Sequence, residues 1–248
     1  MPADGLAATT SGSGPRLVLV HGFTQTGRSW DALAAALRTD HETVAVDAPG
    51  HGGSTDVHAD LVAGADLLGA VGGRATYVGY SMGGRLCLHL ALARPELVER
   101  LVLVSATAGL DDAVERAARR RADEDLAATI ERDGLEAFLR RWVAQPLFAT
   151  LPDAGLDDRR RNTADGLASS LRRAGTGTQA PLWDRLAALT MPVLLVAGAL
   201  DAKFVAAAQR MAELLPDPTL EVVADAGHTV HLEQPAAFET LLRRWLRS

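Results

Sequence analysis

Short, almost wholly apolar runs recur along this chain with longer helical patterns between them. That alternation limits the fold more than any other feature. The runs are Arg16–Val20, Thr43–Asp47, Thr76–Tyr80, Leu101–Ser105, Val193–Ala197 and Leu220–Ala224. Most lack the period-two polar spacing of a half-exposed strand, as expected for strands covered on both faces. Helical patterns stand at Ser29–Arg38, Asp56–Ala70, Met82–Ala93, Lys203–Leu214 and Pro235–Leu246. A strand–helix–strand rhythm calls for right-handed crossovers. The expected fold is therefore α/β, a mostly parallel, doubly wound sheet with helices on both sides. At 248 residues the chain is long enough for one sizeable core, so a single domain over residues 1–248 is expected.

One segment interrupts the rhythm. From Thr107 to Ala180 the sequence is charged and helical, with no convincing strand. An insertion that opens just after the carboxyl end of a strand lies where open α/β sheets place their sites. We read residues 107–180 as a helical cap over the sheet rather than an outlying appendage. The first 14 residues carry neither a basic nor an apolar signal region, and read as a polar, partly disordered lead-in.

Composition excludes several classes of function. No stretch approaches the roughly 18–20 consecutive apolar residues of a membrane span. The single cysteine, Cys87, permits no internal disulfide and no cysteine-built metal cluster. The histidines lack ligand spacing, and no glycine-rich phosphate loop follows the first strand, so neither a metal nor a nucleotide cofactor is expected. A net charge of −6 argues against nucleic acid as a partner. A small anionic substrate stays open, because a few pocket arginines act locally. A cytoplasmic monomer is the expectation, although oligomeric state is not readable.

The strongest chemical signal is Gly79-Tyr80-Ser81-Met82-Gly83, set directly between an expected strand and an expected helix. A serine on such a turn projects its hydroxyl above the sheet at a helix N-terminus. That hydroxyl needs a base at neutral pH. His228, after the last strand and before the last helix, holds the right place in the order Ser…Asp…His. His231 is the rival and reads as structural. Asp201, just past Val193–Ala197, is placed to hold the imidazole in one tautomer. The His21-Gly22-Phe23 loop follows the first strand. It would offer the Phe23 N–H to an oxyanion hole, with the Met82 N–H as the second donor. The loop from Asp47 to Ser54 reads as a structural turn. Arg85 is the exception in an otherwise apolar helix. Such an arginine requires an anionic partner, either an Asp or Glu from the cap or a substrate carboxylate.

Four motifs carry a resemblance: Val20-His-Gly-Phe-Thr24, Gly79-Tyr-Ser-Met-Gly-Gly-Arg85, Asp201-Ala-Lys-Phe204 and Gly227-His228 with His231-Leu-Glu-Gln-Pro235. In the cap, Glu115-Arg-Ala-Ala-Arg119, Trp142-Val-Ala-Gln-Pro-Leu-Phe148 and Gly166-Leu-Ala168 add to it. Together they resemble the 2-succinyl-6-hydroxy-2,4-cyclohexadiene-1-carboxylate synthases, α/β-hydrolase-fold lyases of menaquinone biosynthesis. The resemblance implies elimination of pyruvate rather than hydrolysis, with Ser81 acting as a base through His228. It also implies substrate binding by Arg85 and Arg119, with Trp142 and Tyr80 as pocket walls. A further arginine falls within Arg159-Arg160-Arg161, and spacing to Gly166 favours Arg159. The alternatives are a serine ester or C–C bond hydrolase for another carboxylate-bearing molecule, and a binding protein with little turnover.

Overall fold

The computed structural model describes residues 5–151 and 155–248. Among these the strands are β1 (Ala8–Gly12), β2 (Arg16–Val20), β3 (Glu42–Val46), β4 (Ala75–Tyr80), β5 (Val98–Val104), β6 (Val193–Gly198) and β7 (Pro218–Val223). They form one sheet in the order β1-β3-β2-β4-β5-β6-β7. Only β1 runs antiparallel to its neighbour. The helices are α1 (Asp31–Leu37), α2 (Leu61–Gly72), α3 (Met82–Ala93), α4 (Ala113–Asp133), α5 (Leu135–Val143), α6 (Leu156–Arg159), α7 (Ala164–Ala174), α8 (Ala202–Leu214), α9 (Val230–Glu233) and α10 (Pro235–Leu246).

Side chains of β2 alternate between two separate cores, as the period of two requires. Val18 and Val20 join Leu68 of α2, Leu90 of α3 and Met211 of α8 on one face. Leu17 and Leu19 join Trp30, Leu37 of α1 and Phe238 of α10 on the other. Both faces are covered, which is why the central strands read as continuous apolar runs. Among the described residues no helix is long and apolar enough to cross a membrane.

Two expectations need correction. The lead-in is not disordered over residues 8–12, which form β1 against β3, with Ala8 opposite Val46. This strand is mostly exposed, so it lacks the apolar signature of the interior strands; backbone pairing and the buried Leu6 hold it. Residues 1–4 lie outside the described residues. Helix α2 begins at Leu61 rather than near Asp56, because the Asp60 carboxylate caps it by accepting from the N–H groups of Val62 and Ala63.

Between β5 and β6 stand α4, α5, α6 and α7, in the place expected for the cap. They carry a small core of their own: Ala127 and Ile130, Phe138 and Leu139, and Leu167 and Leu171. The two ends of the insertion are stitched together at its base. The Leu182 N–H donates to the Ala108 carbonyl at 2.8 Å, and the Trp183 indole donates to the Gly109 carbonyl at 3.1 Å.

Candidate active site

Ser81 sits between β4 and α3 with φ 50° and ψ −107°, in the left-handed region that a serine rarely adopts. The turn is possible only because its neighbours are small. A Cβ on Gly79 would lie 2.5 Å from the Gly83 carbonyl oxygen, and one on Gly83 would lie closer still to that of Val20. The backbone is thus forced to lift the hydroxyl out of the sheet's carboxyl edge, where the loops after β6 and β7 meet it.

Those loops bring Asp201 and His228. The imidazole Nδ1 lies 2.7 Å from Asp201 Oδ2, and Nε2 lies 3.1 Å from Ser81 Oγ. An ionised carboxylate can only accept, so the proton belongs on Nδ1 and leaves Nε2 to accept from the hydroxyl. Asp201 is itself fixed by the Phe204 N–H at 3.4 Å. All three residues are brought together. His231 is not among them: its ring stacks on Trp30 at 4.1 Å between centroids, and burial holds its pKa down at about 3.

Phe23 lies beside Ser81 on the loop after β2. Neither its N–H nor that of Met82 has an acceptor among the described residues. Two buried histidines shape this loop. His21 spans it, with Nδ1 at 2.8 Å from the Gly22 carbonyl and Nε2 accepting from the Ala48 N–H at 3.0 Å. His51 donates through Nδ1 to the Pro49 carbonyl and accepts from the Thr24 N–H at 3.3 Å. Burial lowers both pKa values, that of His51 to about 3, so both stay neutral. Sequence reasoning assigned no role to His51, whose contact with Thr24 spans 27 positions.

The cap grips the same loop. Asn162 donates to the Thr24 carbonyl at 2.6 Å and accepts from the Gly52 N–H at 3.0 Å. Asp158 accepts from the Thr26 N–H at 3.1 Å. Neither residue stands out in the sequence.

A cavity opens over Ser81 and His228, walled by Phe23, Tyr80, Trp142 and Phe148. Arg85, Arg119 and Lys203 line it, and among the described residues no aspartate or glutamate does. Arg85 is buried; it donates to the Ala174 carbonyl at 2.8 Å and reaches Gln179 at 3.5 Å. Burial and the nearby Arg119 lower its pKa to about 10, which leaves it charged at neutral pH. Of the two partners the sequence left open, the cap carboxylate is not the one found: no described Asp or Glu comes within 4.0 Å of Arg85. The nearby cap carboxylate, Asp123, pairs instead with Arg119 at 2.8 Å. The Tyr80 hydroxyl lies 3.0 Å from Thr229 Oγ1.

Of the three consecutive arginines, Arg159 turns inward and is 2% exposed. It does not line the cavity. It lies behind the wall, over the Phe148 ring at 5.6 Å, and donates to the Thr24 hydroxyl. Arg160 faces outward to Glu136 and Asp157.

A strand-to-helix serine, a histidine after the last strand and an aspartate between them, on a sheet of this order, define an α/β-hydrolase-type site. The alpha/beta hydrolase family matches residues 17–241. The chain is 38% identical to a Bacillus subtilis (strain 168) protein provisionally named 2-succinyl-6-hydroxy-2,4-cyclohexadiene-1-carboxylate synthase, over 99% of this chain and 97% of the relative. It is 32% identical to the Serratia proteamaculans (strain 568) protein of that name, over 94% and 93% respectively. MenH from S. aureus shares the fold with a TM-score of 0.90 at 28% identity, over 97% of both chains. The chain belongs to the alpha/beta hydrolase family and, within it, to the family of these synthases.

Proposed function

We propose that the chain is a carbon–oxygen lyase. It eliminates pyruvate from 2-succinyl-5-enolpyruvyl-6-hydroxy-3-cyclohexene-1-carboxylate to give 2-succinyl-6-hydroxy-2,4-cyclohexadiene-1-carboxylate. The observation that carries this reading is a cavity with a base-paired serine, lined by cations and by no described carboxylate. A substrate bearing succinyl, ring and enolpyruvyl carboxylates supplies the missing negative charge.

In this reading Ser81 Oγ takes the proton on the ring carbon next to the succinyl ketone and passes its own proton to His228 Nε2. Asp201 stabilises the resulting imidazolium and keeps the ring aligned. Charge developing on the ketone oxygen falls to the N–H groups of Phe23 and Met82. When that charge returns, the new double bond forms at the deprotonated carbon and the existing ring double bond shifts by one position. The ring C–O bond breaks, and the enolpyruvyl group leaves and is protonated to pyruvate. No acyl-enzyme forms, and no water need enter. Arg85 and Arg119 hold carboxylates of the substrate, with Trp142 and Tyr80 as walls. Arg159 acts from behind, on the loop that carries Phe23.

The test is to supply the enolpyruvyl substrate and follow pyruvate. Wild-type protein is expected to release one pyruvate per turnover, and Ser81→Ala to lose at least about 10³-fold in rate. Folded wild-type protein that releases no pyruvate yet turns over simple aryl esters would instead be a hydrolase.

A further inference from the structure

Of the 25 lysine and arginine residues in this chain, Lys203 is the only lysine. Everywhere else the chain meets its need for positive charge with arginine. The exception lines the cavity over Ser81, two residues past Asp201. Its side chain is exposed, and no described carboxylate lies within ion-pair distance of it. The nearest aromatic ring is that of its neighbour Phe204, at 5.9 Å, and that ring in turn lies 4.4 Å from the His228 ring. The ammonium therefore stands at the rim, one aromatic ring away from the imidazole.

The two kinds of cation differ in how they hold a carboxylate. A guanidinium offers a rigid planar fork that fixes two oxygens at once, whereas an ammonium is a compact charge on a flexible stem that imposes no plane. A buried fork such as Arg85 suits a carboxylate that must stay fixed through the reaction. A flexible charge at the exit suits one that must be caught and then let go. We propose that Lys203 binds the carboxylate of the enolpyruvyl group at the cavity rim, and sets how readily pyruvate departs. The proposal rests on the elimination reading given above. It matches three substrate carboxylates to three lining cations: Arg85 on the floor, Arg119 on the cap and Lys203 at the exit.

The experiment compares Lys203→Met, Lys203→Arg and Arg247→Met, the last an exposed residue of the C-terminal end that gives the same change in charge. Each is assayed with the enolpyruvyl substrate, and with pyruvate as product inhibitor. Lys203→Met is expected to raise KM by about tenfold, as for a charged hydrogen bond at a partly solvated site. It should weaken pyruvate inhibition by a similar factor. Lys203→Arg should restore KM yet tighten pyruvate inhibition, and Arg247→Met should match wild type. Unchanged KM and pyruvate inhibition in Lys203→Met would overturn the proposal, as would an equal loss in Arg247→Met. A second readout does not depend on turnover. Because Lys203 is the only lysine, an amine-selective acylating reagent mapped by peptide mass reports on this one side chain, and pyruvate should slow its modification. Wild-type protein in which pyruvate protects Lys203 but no elimination occurs would sink the elimination reading while supporting a carboxylate site at Lys203. Elimination without protection would sink the lysine proposal alone.

Discussion

Arg85 is a buried charge with no carboxylate partner among the described residues. Its helix is buried on nearly every side, and its guanidinium is met by a carbonyl and an amide rather than by a carboxylate. Removing a buried cation of this kind costs a fold little, because the desolvation penalty goes with it. We therefore expect Arg85→Met to leave the thermal midpoint unchanged or higher, while kcat/KM for the enolpyruvyl substrate falls about 100-fold. Calorimetry beside steady-state kinetics checks both; a lower midpoint with intact kcat/KM would make Arg85 structural. Its unusual position was legible in the sequence, because a lone arginine in an apolar helix is conspicuous. The identity of its neighbours was not. Asp123 could have answered Arg85, but it lies one helical turn from Arg119 and pairs there instead.

The elements divide along the same line between what is local and what is distant. Strands β2 to β6 and helices α3, α8 and α10 announce themselves because burial writes its period into contiguous residues. Strand β1 does not, since an exposed edge is held by backbone pairing that any polar sequence can make. The serine turn was readable because glycines at two fixed offsets reflect a local backbone demand. The joint between the cap and the loop after β2 was invisible: Asn162 and Thr24 lie 138 positions apart, and nothing local marks either. That joint makes a prediction for the cap as an element. Asn162 ties the segment after α6 to the loop carrying the Phe23 N–H; if that N–H holds the developing charge as proposed, loss of Asn162 should shift a donor that serves the transition state more than the ground state. Asn162→Ala is expected to lower kcat by about 10- to 100-fold with a much smaller change in KM. A variant that loses only stability, with kcat intact, would show that the joint merely fastens the cap.

At the scale of the whole molecule, acid should unfold this protein through its buried histidines. His21, His51 and His231 are enclosed and their pKa values are lowered, to about 3 for the last two. In the unfolded chain each returns to about 6.5. Below that value the unfolded state takes up protons that the folded state refuses, so stability is fully present above about pH 6.5 and is lost as the pH falls toward 3. His51 and His231 each cost about 2 kcal/mol as the pH falls from 7.5 to 5. His231 is the cleanest to remove. Neither ring nitrogen has a partner among the described residues, and its ring stacks on Trp30 and meets Tyr80 at a tilt and Phe238 edge-on. His231→Phe keeps a flat ring in that stack and abolishes the proton site. Urea denaturation at pH 7.5 and pH 5 should then show the variant losing about 2 kcal/mol less than wild type across that interval. Parallel losses in the two proteins would mean that the folded state protonates His231 as readily as the unfolded chain does, and would overturn the reading that enclosure between Trp30 and Tyr80 keeps it neutral.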